Sequence, residues 1–276
     1  MKIVSWNCGG WQCGGFTIDK YNEMKSYQPE ILLIQECTKK EFDSVSIAIN
    51  EERRKLLYLM EDISKEKTGN LDCSKLQHWH GDDVEKSNKG MAIFSTMCMY
   101  NIELVTNFNS NFRYIIPYKI SFVVPNFEKI EYTLLSIWTK APSDGSQNYQ
   151  KTIFEALDYY DFNTPIILAG DFNTGGNKKN IHRYEELKTR LEKYGLKNCA
   201  ENTDCEYEPT SFHDKTNDYF TNDFCFIPKS FNVYEFYVEK MNNQKRWRNL
   251  SDHCPIIADF GESTKEELEE IKMALK

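Results

Sequence analysis

The sequence predicts an α/β protein in which a large, mixed β core is covered by outer helices. Three observations lead to this prediction. Short apolar segments recur along the chain, longer stretches with helical periodicity lie between some of them, and the two kinds alternate only in part. Partial alternation, with neighbouring strands that read as a hairpin, favours a pair of mixed sheets over a purely parallel one.

The predicted strands are apolar segments bounded by polar or turn-forming residues. They are Lys2–Asn7, Ile31–Glu36, Met91–Met97, Tyr114–Val124, Glu131–Trp138, Pro165–Gly170, Asp223–Ile227 and Pro255–Phe260. The fourth and fifth are expected to form a hairpin, because Pro125 and Asn126 between them favour a turn.

Helices are predicted in the longer amphipathic stretches between these strands. They are Lys39–Met60, Ser146–Tyr160, Ile181–Tyr194 and Thr264–Leu275. Gly195 is expected to end the third, because glycine readily adopts the left-handed conformation that closes many helices. The charged segment Asp62–Asn70 is expected to be a surface insertion. Because no internal repeat or Gly/Pro/Ser-rich linker is found, residues 1–276 are expected to form one domain.

The composition is that of a globular protein, with 40% hydrophobic and 14% aromatic residues. The N-terminal residues lack the apolar stretch of a signal peptide, and no apolar run approaches the ~20 residues that cross a bilayer. Nine cysteines, an odd number with several in strand-like segments, are expected to be reduced thiols rather than disulfides or a zinc site. We therefore expect a cytoplasmic protein with no membrane association.

The net charge of −8 argues against a broad surface that coats nucleic acid, because such binding needs many Lys or Arg contacts to phosphates. It does not exclude an enzyme that acts on phosphates. A site of that kind can be acidic where it holds a metal ion and basic only at its rim, so local charge is the more informative quantity.

Polar side chains stand at the ends of several predicted strands. They are Asn7, Glu36, Asp171, Asn173, Asp252 and His253. Because ligands gather beyond strand ends in α/β sheets, these side chains are expected to converge on one crevice. Each residue alone also fits a structural role, as Asp171 does in a Gly-Asp-Phe-Asn turn.

Eight segments extend the pattern along nearly the whole chain. In order they are VSWNCGG, PEILLIQE, KGMAIFS, LLSIWTK, ILAGDFNT, PTSFH, NDFCFIP and SDHCPI. Together they resemble the endonuclease/exonuclease/phosphatase superfamily, which includes deoxyribonuclease I, exonuclease III-type repair nucleases, neutral sphingomyelinases and inositol polyphosphate phosphatases. The resemblance implies a four-layered α/β sandwich, with two central mixed β-sheets flanked by helices and the site at one sheet edge.

The resemblance also implies a divalent metal ion and its ligands. Glu36 matches the carboxylate that binds the metal, Asn7 the amide beside metal and phosphate, and Asp252 a further acid near the metal. Hard oxygen ligands suit Mg²⁺, with Mn²⁺ as an alternative.

Catalytic roles follow from the same resemblance. Asp171 and Asn173 match the pair that orients the attacking water and binds phosphate oxygens, with Asp171 as general base. His253 matches the imidazole that contacts the scissile phosphate, and Asp223 the acid that holds it. A histidine held by a carboxylate is favoured as imidazolium, which stabilises an anionic transition state. Asp218 competes with Asp223 for this role, but the apolar run after Asp223 is the better match.

The sequence departs from the family pattern at Trp138. The deoxyribonuclease I branch has histidine there and the exonuclease III branch tyrosine, whereas indole can only donate one hydrogen bond. Protonation of the leaving group by this position is therefore in doubt, and both a substrate contact and simple packing stay open. Arg113 and Thr210 are weaker matches to phosphate-contacting groups.

Two loops next to the site motifs are locally basic. Lys178 lies in the first, after GDFN, and Arg246 and Trp247 lie in the second, before SDH. We expect a basic rim that follows a phosphate backbone, with Trp247 stacking on a base. The alternative is that these are solvated loops that balance an acidic site.

The leading functional prediction is a magnesium-dependent phosphodiesterase that cleaves DNA or RNA as a nuclease. One alternative is a phosphodiesterase or phosphatase that acts on a small phosphorylated molecule or lipid head group. Another is an inactive family member that serves as a binding module. No protein partner is indicated.

Overall fold

The computed structural model describes residues 1–9, 14–64, 75–81, 88–96, 100–112, 114–122, 130–140, 148–174, 182–213, 216–239 and 249–262. The helices are α1 (Ile18–Lys25), α2 (Lys39–Ser64), α3 (Gln150–Tyr159) and α4 (His182–Glu192). The strands are β1 (Lys2–Asn7), β2 (Ile31–Thr38), β3 (Gln77–Gly81), β4 (Lys89–Ser95), β5 (Tyr100–Leu104), β6 (Ile115–Phe122), β7 (Ile130–Trp138), β8 (Ile166–Asp171), β9 (Leu196–Asn198), β10 (Ser211–His213), β11 (Asp218–Phe220), β12 (Asp223–Pro228), β13 (Asn232–Val238) and β14 (Ile256–Gly261).

Two six-stranded sheets form the centre of the fold. The first has the order β13-β14-β1-β2-β4-β3 and the second β5-β6-β7-β8-β12-β9. Strands β1 and β2 are parallel, as are β7 and β8, and the other neighbours within the sheets are antiparallel. The sheets are therefore mixed, as predicted, and the predicted hairpin is the antiparallel pair β6 and β7.

Apolar side chains fill the space between the sheets and the space under the helices. Ile3 and Leu33 of the first sheet share one buried cluster with Leu134 and Ile167 of the second. A separate cluster joins the first sheet to α1 and α2, and another joins the second sheet to α3 and α4. Strand β2 begins with four consecutive buried apolar residues because both faces of its sheet are covered. The four-layered sandwich is confirmed.

Helix α2 begins immediately after a strand that carries a site residue, and a capping box fixes that junction. The backbone N–H of Thr38 donates to Glu41 Oε2 at 2.8 Å, and the N–H of Glu41 donates to Thr38 Oγ1 at 3.3 Å. This reciprocal pair satisfies N–H groups that the first helical turn leaves without partners. The direction of the chain as it leaves Glu36 is therefore set by local hydrogen bonds.

Several elements were not predicted from the sequence. They are α1, β3, β5, β9, β10, β11 and β13. The strands among them are short, or lie at sheet edges with half-exposed side chains, so the alternation of apolar and polar residues is weak. Helix α2 continues to Ser64, beyond its predicted end at Met60. The predicted helix Thr264–Leu275 and residues 65–70 of the predicted insertion lie outside the described residues.

Three further expectations concern the end of α4, the state of the cysteines and membrane-spanning helices. Gly195 follows α4 with a φ of +76°, the left-handed conformation expected of it. The cysteines in the described part of the chain have free thiols, as expected. Over the same part, no helix is both long enough and apolar enough to span a bilayer.

Candidate active site

The topology brings the predicted site residues to one end of the sandwich. Asn7 and Glu36 lie at the adjacent ends of parallel β1 and β2. In the second sheet Asp171 ends β8, and its register partner Asp223 begins antiparallel β12. Strand β14 runs antiparallel to β1, so His253, just before β14, lies at the same end. Because the sheets pack face to face, these side chains meet although they are distant in sequence.

An open cleft of about 580 Å³ lies over this meeting point. The predicted residues that line it are Asn7, Glu36, Asp171, Asn173, Asp252 and His253. A second wall comes from the hairpin of β10 and β11, with Phe212, His213 and Phe220. Tyr149, Arg183 and Asn222 complete much of the rim. Asn222 opens the NDFCFIP segment and Arg183 is the second residue of α4, whereas Tyr149 lies in none of the motif segments.

Asp171 is buried at the base of the cleft and held in one orientation. Its Oδ1 accepts the backbone N–H of Asn173, and its Oδ2 accepts the side-chain amides of Asn173 and Asn7, each at 3.0 Å. Burial raises the pKa of Asp171 to about 7, although the charge of His253 and these hydrogen bonds lower it. A carboxylate with a pKa near neutrality suits a general base.

His253 lies between two carboxylates. Its Nδ1 is 2.8 Å from Asp223 Oδ2, and its Nε2 is 4.0 Å from Asp171 Oδ2. Burial by itself lowers the pKa of His253, but the charges of Asp223 and Asp171 raise it to about 10. The imidazole is therefore protonated at neutral pH, with Nδ1–H donating to Asp223.

Asp223 is positioned in turn by Thr210. The Thr210 hydroxyl donates to Asp223 Oδ2 at 2.7 Å and accepts the backbone N–H of Asp223 at 3.0 Å. Thr210 is buried and does not line the cleft. Thr210 therefore holds Asp223 in place, and the phosphate contact expected of it stays a prediction. Asp223, and not Asp218, is the hydrogen-bond partner of His253.

Glu36 has an unusual backbone conformation. It lies in a β-bulge, where the register of β2 with β4 shifts between Gln35 and Cys37, and its φ is +59°. A left-handed conformation costs a residue other than glycine roughly 1–2 kcal/mol. Bulges re-aim side chains next to functional sites, and strained residues of this kind cluster there. Asn173, also in the cleft, has a φ of +49°.

Both oxygens of the Glu36 carboxylate have partners. Oε1 accepts a hydrogen bond from Asn7 Nδ2 at 3.3 Å, and Oε2 lies 2.5 Å from Lys89 Nζ. A Cβ at Gly9 would lie 2.1 Å from Oε2, so a larger residue there would require the Glu36 carboxylate to move. Since Asn7 Nδ2 also donates to Asp171, it sets the spacing between the two carboxylates.

Sequence reasoning missed two residues that support the loop after β1. The Ser251 hydroxyl lies 2.7 Å from the carbonyl oxygen of Asn7 and accepts the N–H of His253 at 3.1 Å. Lys20 is buried in α1, and its ammonium group donates to the carbonyl of Cys8 at 3.1 Å. Ser251 opens the SDH motif and was within reach of prediction. Lys20 carries no local signal.

Trp138 is 4% exposed and does not line the main cleft. Its ring packs edge-on against Tyr114, with centroids 5.3 Å apart, and Lys140 Nζ lies 4.2 Å from the Trp138 ring centroid. This environment favours the packing interpretation of Trp138 over a substrate contact.

A family model supplies the decisive comparison. The model described as the Endonuclease/Exonuclease/phosphatase family matches residues 4–253. The chain belongs to this family. The family comprises hydrolases of phosphate esters that generally use divalent metals. Comparison with curated protein sequences finds no match.

Solved structures share the fold at low sequence identity. A family protein from Leptotrichia buccalis is 18% identical with a TM-score of 0.57, and 95% of this chain covers 99% of that one. An AP endonuclease from Archaeoglobus fulgidus is 14% identical with a TM-score of 0.59, at 94% and 99% coverage. A 3′ phosphatase from Neisseria, bound to a product DNA hairpin, is 14% identical with a TM-score of 0.53, at 95% and 99% coverage.

Part of the predicted site lies outside the described residues. These positions are Arg113, Lys178, Arg246 and Trp247. The basic rim predicted from the last three stays a prediction. Among the described lining residues, Arg183 supplies a cation, and Tyr149 and Phe220 supply aromatic surface.

Proposed function

We propose that this protein is a divalent-metal-dependent phosphodiesterase that cleaves nucleic acid. The observation that carries the proposal is the convergence of a buried carboxylate, a carboxylate-held imidazolium and a half-exposed carboxylate in one cleft. These are Asp171, His253 with its partner Asp223, and Glu36. Hydrolysis of a phosphodiester needs a base for water, a cation for the phosphoryl oxygens and neutralisation of developing charge, and this arrangement offers each.

Asp171 and His253 have separate roles when water attacks the phosphate. Asp171 accepts a proton from the water whose oxygen bonds to phosphorus. Nε2–H of His253 donates to a non-bridging phosphoryl oxygen as the bond from phosphorus to the leaving oxygen breaks. Asn173, which orients Asp171 through two hydrogen bonds, helps to place the water. The leaving oxygen takes its proton from solvent, since the buried indole of Trp138 is not an acid.

Two groups of residues are candidates to hold the metal ion. Ligand atoms of Asp171, Asp223 and His253 lie within 4.8 Å of one another, but all three residues are buried, and His253 Nδ1 and Asp223 Oδ2 already contact each other at 2.8 Å. Glu36 and Asp252 are half-exposed oxygen donors in the cleft, which is the donor set that Mg²⁺ or Mn²⁺ prefers. We assign the ion to Glu36 and Asp252, with Asn7 orienting Glu36. When bound, it neutralises charge on the phosphate and the leaving oxygen.

Nucleic acid is the proposed substrate because the cleft is open and its rim carries Arg183 and aromatic side chains. Two structural neighbours are described as an AP endonuclease and as a phosphatase bound to a DNA hairpin. A small phosphorylated molecule is the second candidate. Two observations favour it. The net charge of −8 repels a long polyanion, and a cleft of about 580 Å³ is large enough for a small phosphorylated molecule.

The experiment is to incubate the protein with several substrates in Mg²⁺, Mn²⁺ or a chelator. The substrates are single-stranded and double-stranded DNA, an abasic duplex, RNA and a chromogenic phosphodiester. We expect metal-dependent cleavage that Glu36→Gln lowers by ~10²-fold or more. Glu131→Gln is the matched control, since Glu131 is 23% exposed and ion-paired with Lys119, as Glu36 is 25% exposed and paired with Lys89. Wild-type turnover in Glu36→Gln would refute the site.

Arg183→Ser separates the two substrate classes. We expect a higher KM and a shallower salt dependence on polynucleotide, with almost normal hydrolysis of the chromogenic ester, because backbone contacts release counterions. Lys245→Glu combined with Arg246→Glu is expected to act in the same way at the second basic loop. No effect of either variant on polynucleotide cleavage would favour the small-molecule substrate.

A further inference from the structure

Lys89 is a cation that the family motifs did not assign to the site, yet it contacts the proposed metal ligand directly. It is the first residue of β4, the neighbour of β2, and its Nζ lies 2.5 Å from Glu36 Oε2. The Glu36 and Lys89 side chains are 25% and 32% exposed, so water reaches both. The pair joins two adjacent strands at the edge of the cleft.

With this contact, both oxygens of the Glu36 carboxylate have a hydrogen-bonding partner. Oε2 is engaged by Lys89, Oε1 accepts from Asn7, and Gly9 packs closely against the same group. A divalent cation at Glu36 therefore meets a positive charge that is already in contact with its ligand. Two cations this close repel each other, and the flexible lysine is the one that can move.

Lys89 also borders a small recess of about 10 Å³. It is narrow and lined by Lys89 together with His80, Met91, Tyr114 and Trp138. Trp138 is the register partner of Asp171, so the recess borders the strand end that carries the general base. This is also the position at which the family acid is replaced by a buried indole. A cation displaced from Glu36 towards Trp138 would approach the end of β7, where Lys140 Nζ already lies 4.2 Å from the Trp138 ring centroid.

We propose that Lys89 is an internal competitor of the divalent metal at Glu36, and that it transfers its hydrogen bond to the substrate phosphate or leaving oxygen when the metal takes the carboxylate. Without metal, Lys89 neutralises Glu36 and holds the bulge of β2. In the loaded enzyme, Lys89 adds a positive charge to the departing side of the phosphate. This inference rests on the proposed function, because it assumes that Glu36 is a metal ligand.

The test is calorimetric titration of Mg²⁺ into the substrate-free protein, followed by turnover at saturating Mg²⁺. Removing the competing charge in Lys89→Met should tighten the Mg²⁺ Kd about tenfold. Lys89→Arg keeps the charge and should stay near wild type. Lys119→Met is the matched control, since Lys119 pairs with Glu131 away from the cleft at 2.9 Å, and should change nothing. Lys89→Gln repeats the loss of charge with a polar side chain if Lys89→Met folds poorly.

Turnover supplies the second half of the test. At saturating Mg²⁺, Lys89→Met and Lys89→Gln should lower kcat about tenfold or more, with Lys89→Arg recovering most of it. An unchanged or weaker Mg²⁺ Kd in the charge-free variants would overturn the competition. A tighter Kd with unchanged kcat would overturn the transfer to substrate.

Glu36→Gln separates failure of this inference from failure of the proposed function. If Glu36→Gln abolishes Mg²⁺ binding while Lys89→Met leaves the Kd unchanged, only the role of Lys89 is wrong. If Glu36→Gln binds Mg²⁺ like wild type, the metal assignment itself fails, and the role of Lys89 fails with it.

Discussion

Two halves of the cleft use ionisable groups in opposite ways. The buried trio, Asp171, Asp223 and His253, is 1%, 1% and 8% exposed, and its members fix one another's orientation. The half-exposed pair, Glu36 and Lys89, is reached by water on both sides. A buried charge that loses its partner is costly, whereas an exposed ion pair is worth only about 0–1 kcal/mol. The trio is therefore suited to hold one arrangement and the pair to exchange partners.

The largest expected effect removes the cation of the buried trio. His253→Ala should lower kcat by ~10²–10³-fold, because a preorganised donor to the phosphoryl oxygen is lost. His213→Ala is the matched control, since His213 also lines the cleft but its Nδ1 contacts the Thr216 hydroxyl at 3.0 Å instead of a carboxylate. Steady-state kinetics on the best substrate measures both. Equal losses of kcat in the two variants would show that His253 contributes no more to catalysis than another histidine that lines the cleft.

A smaller effect is expected one contact further from the substrate. Thr210→Val removes the hydroxyl that orients Asp223 and should lower kcat by about fivefold to tenfold while KM changes little. Asp223→Asn should cost more, and adding Thr210→Val to it should cost almost nothing further, because the two act through one hydrogen bond. Additive losses in the double variant would contradict a positioning role through Asp223.

The raised pKa of His253 also predicts how the stability of the folded protein depends on pH. His253 has a pKa of about 10 in the folded protein against an ordinary value of 6.5, so the folded state binds its proton more tightly. The resulting stabilisation is complete below pH 6.5 and is lost as pH rises towards 10. In chelator, Tm of the wild type should therefore fall over this window more steeply than Tm of His253→Gln. Parallel Tm profiles would show that His253 is not held as imidazolium.

The smallest effect on catalysis is expected beside the cleft. Trp138→Phe should keep turnover within about threefold of wild type, because the indole is buried and packed against Tyr114. It should lower the free energy of unfolding by about 1–3 kcal/mol, since a large buried side chain is shortened. Denaturant titration and kinetics on the same preparation measure both. A tenfold loss of kcat in a folded variant would instead assign a role to the indole N–H.

The sequence alone determined the fold class and most of the residues that meet in the cleft. Asn7, Glu36 and Asp171 each stand at the end of an apolar strand, and strands of this kind are encoded locally by runs of buried residues. Because strand ends on one side of a sandwich converge, the order of such motifs along the chain was enough to predict one site. Edge strands such as β3 and β13 escaped prediction because half-exposed strands carry weak periodicity.

Only the tertiary structure decided which partners these residues have. Thr210 was expected to contact phosphate, and its hydroxyl donates a hydrogen bond to Asp223. Lys89 lies 53 positions from Glu36 in the sequence, yet the two side chains are in contact. The bulge that turns Glu36 towards Lys89 depends on the register of β2 with β4. Contacts of this kind join side chains from different strands, and their distances are set by how the sheets pack. Local sequence carries no record of that packing, because each segment is compatible with many neighbours until the core closes.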